Sequence, residues 1–148
     1  MTTMDSRDEL SRAIGSEVAR HREIAAAWIF GSVARGEAHA HSDLDVAVLL
    51  RGDASSNVAR VHLYELAATL ERFAPSGRVD IVVLGEQGPI FRHRVLREGI
   101  LVHDADAERR ISFEGRTISE YLDWKPTHDI AMQATFKGLR DRFARGRG

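Results

Sequence analysis

The sequence predicts an α/β fold of the α+β kind: a small mixed sheet with helices packed against it. Three observations carry that prediction. Short apolar runs of strand length, bounded by glycine or polar residues, occur at Ile24 to Phe30, Asp43 to Leu50, Val79 to Leu84 and Ile100 to His103. Around them lie segments whose apolar residues recur at helical spacing. The two kinds of segment alternate along the chain, as they do where helices cover a sheet.

Taken in order, Asp5 or Ser6 caps a first helix, and Ser6-Arg7-Asp8-Glu9 has the form of a capping box. Leu10, Ile14 and Val18 give it one apolar face, and it is expected to end near His21. Ile24-Ala-Ala-Ala-Trp-Ile-Phe30 is the first strand. Alanine is a poor strand former, but the run is short and stops at Gly31. Ser32 to Arg35 predicts one helical turn closed by Gly36, and Glu37 to Ser42 a polar loop. Asp43 to Leu50 is the second strand, ended by Arg51-Gly52-Asp53. Ser55, Ser56 or Asn57 caps the next helix, whose apolar face is Ala59, Leu63, Leu66, Leu70 and Phe73.

Pro75-Ser76-Gly77 breaks that helix, and Val79 to Leu84 is the third strand. Gly88-Pro89 opens a helix through Ile90, Phe91, Val95 and Leu96, with proline in its first turn and a stop at Gly99. Ile100 to His103 is a short fourth strand. From Asp106 the pattern is helical to about Trp124; Pro126 is expected to interrupt it before a last helix to about Phe143. With no internal repeat and no long Gly/Ser/Pro linker, residues 1–148 are expected to form one domain with a helical extension from about 106.

Composition excludes several classes. A formal charge of −1, from 21 basic and 22 acidic side chains, gives no argument for a general nucleic-acid binder. The absence of cysteine removes disulfide scaffolds, thiol nucleophiles and cysteine–zinc sites. No apolar run approaches the ~20 residues of a membrane span, and Met1-Thr-Thr-Met-Asp-Ser has no secretion-signal pattern, so a cytoplasmic protein is expected. The seven histidines show no pair at helical zinc spacing. His39 and His41 read as solvated loop residues, with contact to substrate as the alternative. Trp28 and Trp124 read as packing residues, and Tyr121 as a packed aromatic near a helix end. Lys137, Arg140, Arg142, Arg145 and Arg147, against only Asp141, read as a solvated tail or as a contact surface for an acidic partner.

Chemistry concentrates at Gly31-Ser32, then, after ten intervening residues, Asp43-x-Asp45. On a strand, residues i and i+2 share a face, so these carboxylates project together, roughly 6.5–7 Å apart along the strand. Two acids so close repel each other and lose hydration. Asp80 repeats the anomaly among Val79, Ile81, Val82 and Val83; a salt bridge to Arg78 is its plain structural alternative. A third strand beside the second brings Asp80 to the same place. Gly31 lets backbone approach a ligand, and the N–H groups of Ser32, Val33 and Ala34 suit phosphate. Arg35 is a candidate phosphate cation. Carboxylates that hold two Mg²⁺ ions beside a phosphate-binding turn are what metal-dependent nucleotide transfer requires.

The run Phe30-Gly-Ser-Val-Ala-Arg-Gly36 … Ser42-Asp-Leu-Asp-Val-Ala-Val48 resembles the polymerase-β-like nucleotidyltransferase superfamily, whose short members are minimal nucleotidyltransferases. Val79-Asp-Ile-Val-Val, Pro89-Ile-Phe-Arg-His-Arg-Val-Leu-Arg-Glu-Gly99, Leu101-Val-His103 and Glu120-Tyr-Leu-Asp-Trp-Lys-Pro126 are similar to the MntA-type antitoxins of HEPN–MNT toxin–antitoxin modules. The resemblance implies a polymerase-β-like nucleotidyltransferase fold. It also implies that Gly31 and Ser32 bind triphosphate and that Asp43, Asp45 and Asp80 bind Mg²⁺. The implied reaction moves AMP from ATP to a tyrosine of a HEPN-type RNase toxin and blocks it, with Asp80 or the aspartate nearest the hydroxyl as general base. Arg92, His93, Arg94 and Arg97 then read as a solvated face, or as a surface that docks toxin or phosphate. Two alternatives remain: transfer to a small molecule such as an aminoglycoside, and neutralisation of a toxin by binding alone.

Overall fold

The computed structural model describes residues 6–52 and 56–145, the stretch from 126 as backbone except at Lys137. The elements are α1 (Ser6–Val18), β1 (Ile24–Phe30), α2 (Gly31–Arg35), β2 (Leu44–Leu50), α3 (Ser56–Leu70), β3 (Val79–Val83), α4 (Pro89–Glu98), β4 (Ile100–Asp104) and α5 (Ala107–Arg145). Short 3₁₀ turns follow α3 at Glu71–Phe73 and β3 at Leu84–Glu86. Asp5 and Ser55, each expected as a helix cap, lie outside the described residues.

The strands form one mixed sheet in the order β3-β2-β1-β4. β1 runs antiparallel to β2 and β4, whereas β3 runs parallel to β2. The α3 crossover makes that parallel pairing possible, since parallel neighbours need a long connection. The central strands are covered on both faces, which explains their nearly unbroken apolar sequence. One core layer joins Ile14, Val18, Ile29, Val46, Val48, Leu66 and Leu70, from α1, the sheet and α3. The other joins Ala25, Ala26, Trp28, Ala47, Leu49, Val95 and Phe113, from the sheet, α4 and α5. Trp28 is thus a packing residue, buried to 2% exposure. A register irregularity between Ile24 and Ala26 marks where α5 meets the sheet: the N–H groups of Ala105 and Asp106 donate to the Ala25 carbonyl at 2.8 and 3.2 Å.

Several boundaries differ from the sequence reading: α3 ends at Leu70, β3 at Val83 and β4 at Asp104, and three larger differences follow. α1 ends at Val18, short of His21, because the chain tightens into i→i+3 turns: Arg20 N–H donates to the Glu17 carbonyl and His21 N–H to that of Val18. β2 begins at Leu44, leaving Asp43 just before the strand. α5 is one continuous helix through Pro126. Proline removes one backbone donor and crowds the preceding turn, yet the helical pattern on either side sustains the helix. No described helix is long and apolar enough to cross a membrane.

Candidate active site

The site forms where β1 gives way to α2. Phe30 pairs across the sheet with Asp45, so the Gly31 turn lies against the start of β2. Gly31 has φ +74°, and a Cβ there would sit 2.3 Å from Asp45 Oδ2. Only glycine meets both conditions, the left-handed backbone and the close approach of a carboxylate. α2 buries Val33 and Ala34, presents Arg35 to solvent, and has no side-chain cap at Phe30. Its first N–H groups therefore keep no side-chain acceptor. Gly36, at φ +72°, closes it with an N–H directed at the Ser32 and Val33 carbonyls.

Asp43 is fixed by a turn distant in sequence. Ser76 N–H donates to the Ser42 carbonyl at 3.0 Å, and Leu44 N–H to the Arg78 carbonyl at 3.0 Å. This clamps the 39–44 loop to the turn before β3. Asp43 Oδ1 then accepts from Ser76 Oγ at 2.7 Å and from Arg78 Nε at 3.0 Å. The Ser76 hydroxyl above all, with the Arg78 guanidinium, holds the Asp43 carboxyl below its usual range against the opposing effect of burial. Arg78, the partner considered for Asp80, goes to Asp43 instead.

Asp45 faces the opposite pressure. It is half-buried, and the parallel register sets it directly beside Asp80. Burial, then the negative charges of Asp80 and Asp43, push its carboxyl up, while Arg35 pulls it down. Asp80 itself is exposed at the edge strand. Among the described residues, no three His, Asp or Glu side chains converge closely enough to hold a metal ion; Asp43 is turned onto Ser76 and Arg78.

A cavity of about 440 Å³ opens on the Gly31 side of Asp45. Arg35 and Arg94 line it, with Glu98 and Phe30. The Arg35 guanidinium is engaged by Glu37 at 3.0 Å. Arg94 lies over the Phe91 ring at 5.5 Å, and Phe91 in turn packs edge-on against Phe30.

The basic run on α4 is therefore not one solvated face. Arg92 packs over Phe113 and pairs with Glu120, His93 stacks on Tyr121 at 3.7 Å, and Arg97 pairs with Glu98. Arg94 alone of the four lines the cavity beside Asp45. His39 and His41 are exposed loop residues, and Tyr121 is a packed aromatic. The tail side chains Arg140, Arg142, Arg145 and Arg147, and that of His128, lie outside what is described.

Sequence reasoning missed Ser76, Arg78 and the particular role of Arg94. Arg94 sits three residues after Phe91 and four before Glu98, so helical spacing groups it with them. Nothing in that spacing says which face of α4 meets β1. Ser76 and Arg78 left no local signal, because their contacts with Asp43 span more than thirty residues.

A search of the curated proteins finds no match. Among solved structures, a toxin–antitoxin with AMP-PNP is 24% identical with a TM-score of 0.64, the alignment covering 82% of this chain and 98% of the other. An MNT antitoxin in complex with a tri-AMPylated HEPN toxin from Shewanella oneidensis is 21% identical with a TM-score of 0.62, covering 88% and 98%. A chain assigned as a minimal nucleotidyltransferase is 36% identical with a TM-score of 0.50, covering 68% and 98%. The family model for polymerase beta nucleotidyltransferases matches residues 13–108, which contain the glycine turn and all three aspartates. A match over most of the chain, carrying the site with it, makes this protein a member of the polymerase beta nucleotidyltransferase family.

Proposed function

We propose that this chain is a minimal, single-domain antitoxin that transfers AMP from ATP to a tyrosine of a cognate HEPN-type RNase and so neutralises it. The observation that carries this reading is the Gly31 turn packed on Asp45, itself paired with Asp80, in a member of a nucleotidyltransferase family. The likeness to antitoxin structures, one with AMP-PNP and one beside an AMPylated toxin, supports the choice of nucleotide and acceptor.

The residue types fit magnesium: the three carboxylates are hard oxygen ligands, and Asp45 and Asp80, set side by side across the parallel seam, crowd negative charge that a divalent cation relieves. Asp45 and Asp80 would hold it, joined by Asp43 once that carboxylate leaves Ser76 and Arg78, and it would supply charge neutralisation at the phosphates. The chain's own groups do the rest. The α2 N-terminus, Arg35 and Arg94 receive the β- and γ-phosphates on the Gly31 side. The tyrosine oxygen attacks the α-phosphorus and forms a new P–O bond. The bond from that phosphorus to the bridging oxygen breaks, and pyrophosphate leaves. The hydroxyl proton passes to Asp80, whose exposure at the sheet edge leaves it open to the acceptor.

Intact mass spectrometry of the HEPN partner, co-expressed with this chain, tests the reading. Wild type should add whole adenylyl units, and Asp43→Ala should add none. An unmodified partner, or equal addition by both, would refute it. Arg94→Ala should raise KM for ATP by roughly tenfold, the loss of one charge-assisted phosphate contact, with kcat changed less. Steady-state kinetics at varied ATP separates the two effects.

A further inference from the structure

A second concavity lies beside Asp80. It is a groove of about 390 Å³ between α3 and the outer edge of β3. Leu63, Tyr64 and Ala67 of α3 form one wall, and β3 forms the other. Asp80 stands at one end. At the far end Arg60 reaches across to Glu86 at 3.3 Å, and both side chains are largely exposed. Among the described residues β3 is the edge strand, paired with β2 alone, so its outer backbone groups have no strand partner there.

We propose that this groove seats the acceptor protein: an extended segment of it lies along β3 as an added strand and presents its tyrosine hydroxyl beside Asp80. The inference rests on the reading that the acceptor is a protein hydroxyl, and it names where that protein binds. Three observations select this occupant. The groove reaches Asp80, which pairs across the parallel seam with Asp45 of the other cavity. The open edge offers main-chain hydrogen bonds to any extended segment, whatever its sequence. Tyr64, which lines the groove, is 79% exposed, apolar surface that an acceptor would cover.

A nucleotide is a poor tenant by comparison. The groove carries a single cation, Arg60, beside two acids, Asp80 and Glu86. Two guanidiniums flank the other cavity, on the Gly31 side. Phosphoryl transfer needs the attacking and leaving oxygens roughly in line, on opposite sides of the phosphorus. Triphosphate on the Gly31 side and acceptor on the β3 side satisfy that requirement, with the Asp45–Asp80 pair between them. The exposed residues Ile111, Ile118 and Leu122 of α5 form a separate surface and serve as a control.

The test uses the full chain, its HEPN partner and [α-³²P]ATP. Tyr64→Ala and the groove-filling Ala67→Arg should each lower kcat/KM for the partner by about tenfold or more, as loss of a central contact does. Both should bind AMP-PNP as wild type does, which shows that they fold. Ile118→Arg should label the partner at the wild-type rate. Hydrogen exchange should show residues 79–83 protected when the partner is added without nucleotide. If Ala67→Arg labels the partner as fast as wild type, or if 79–83 exchange equally with and without partner, the groove assignment falls while transfer itself stands. If wild type gains protection at 79–83 but labels nothing, the transfer reading falls and the groove remains the partner's seat.

Discussion

Asp45→Asn should melt at a higher temperature than wild type and transfer almost no nucleotide. The two effects share one cause. Burial and the charges of Asp80 and Asp43 raise the Asp45 carboxyl above its ordinary range. A group whose pKa rises on folding holds its proton more tightly in the folded state, so ionising it works against the fold. That penalty grows as pH rises through the ordinary carboxylate pKa and then the raised one. The gain in melting temperature should therefore appear at pH 7 and disappear in acid, where the wild-type carboxyl is already protonated. Activity should move the other way. Loss of a carboxylate that faces the phosphates forfeits several kcal/mol of charge stabilisation, so kcat/KM should drop by roughly a thousandfold or more. Asp43 makes the internal contrast. Its carboxyl is lowered by Ser76 and Arg78, so it stabilises the fold above the ordinary carboxylate pKa and loses that contribution as pH falls through the lowered one. Asp43→Asn should then be inactive without any gain in melting temperature. Scanning fluorimetry at pH 7 and pH 4, with label transfer on the same samples, separates the two aspartates. A lower melting temperature for Asp45→Asn at pH 7 would contradict the electrostatic account.

Gly31→Ala should damage both stability and activity. The left-handed backbone at φ +74° costs a non-glycine residue about 1–3 kcal/mol. The added Cβ would also meet Asp45 Oδ2 at 2.3 Å, so the carboxylate must move. A displacement near 1 Å at a reacting centre costs roughly a hundredfold in rate. Gly36→Ala is the matched control. It carries the same strain at φ +72°, but its new methyl meets only the tip of the Arg7 side chain at 3.3 Å, which can swing aside. The two variants should lose similar stability in urea, and only Gly31→Ala should lose most of its label transfer. Equal activity in the two would mean that the glycine serves the turn and not the carboxylate.

Much of this was legible in the sequence, for reasons that individual elements make plain. β1 ends at Phe30 as expected, because Gly31 is both a strand stop and a turn former. α4 begins at Pro89 and stops before Gly99 for the same kind of local reason. Asp45 and Asp80 were readable as anomalies, since a carboxylate in an apolar strand demands an explanation, and the structure sets them side by side. The hold of Ser76 and Arg78 on Asp43 was not legible, because it depends on a turn that only the folded chain brings near. Nor was the split of the α4 basic run. Spacing along one helix reveals which residues share a side, but what each side touches is decided by α5 and β1. Pro126 misled for the opposite reason: a local rule favoured a break, and the continuing helix overrode it.

The parallel seam between β2 and β3 carries a last consequence, for insertions and deletions. Asp45 meets Asp80 only because both strands count from Leu44 and Val79 in step. A strand inverts its facing with every residue, so adding or removing a single amino acid between Val79 and Asp80 would swing that acid toward Leu63 and Leu66 and turn Val79 or Ile81 outward. Burying an unpaired carboxylate there is costly, so the chain would resist such a shift. A two-residue change would preserve the facing and merely slide the acid along the seam. Length variation among related chains should therefore collect in the loop ahead of Ser76 and, within this strand, come in even steps.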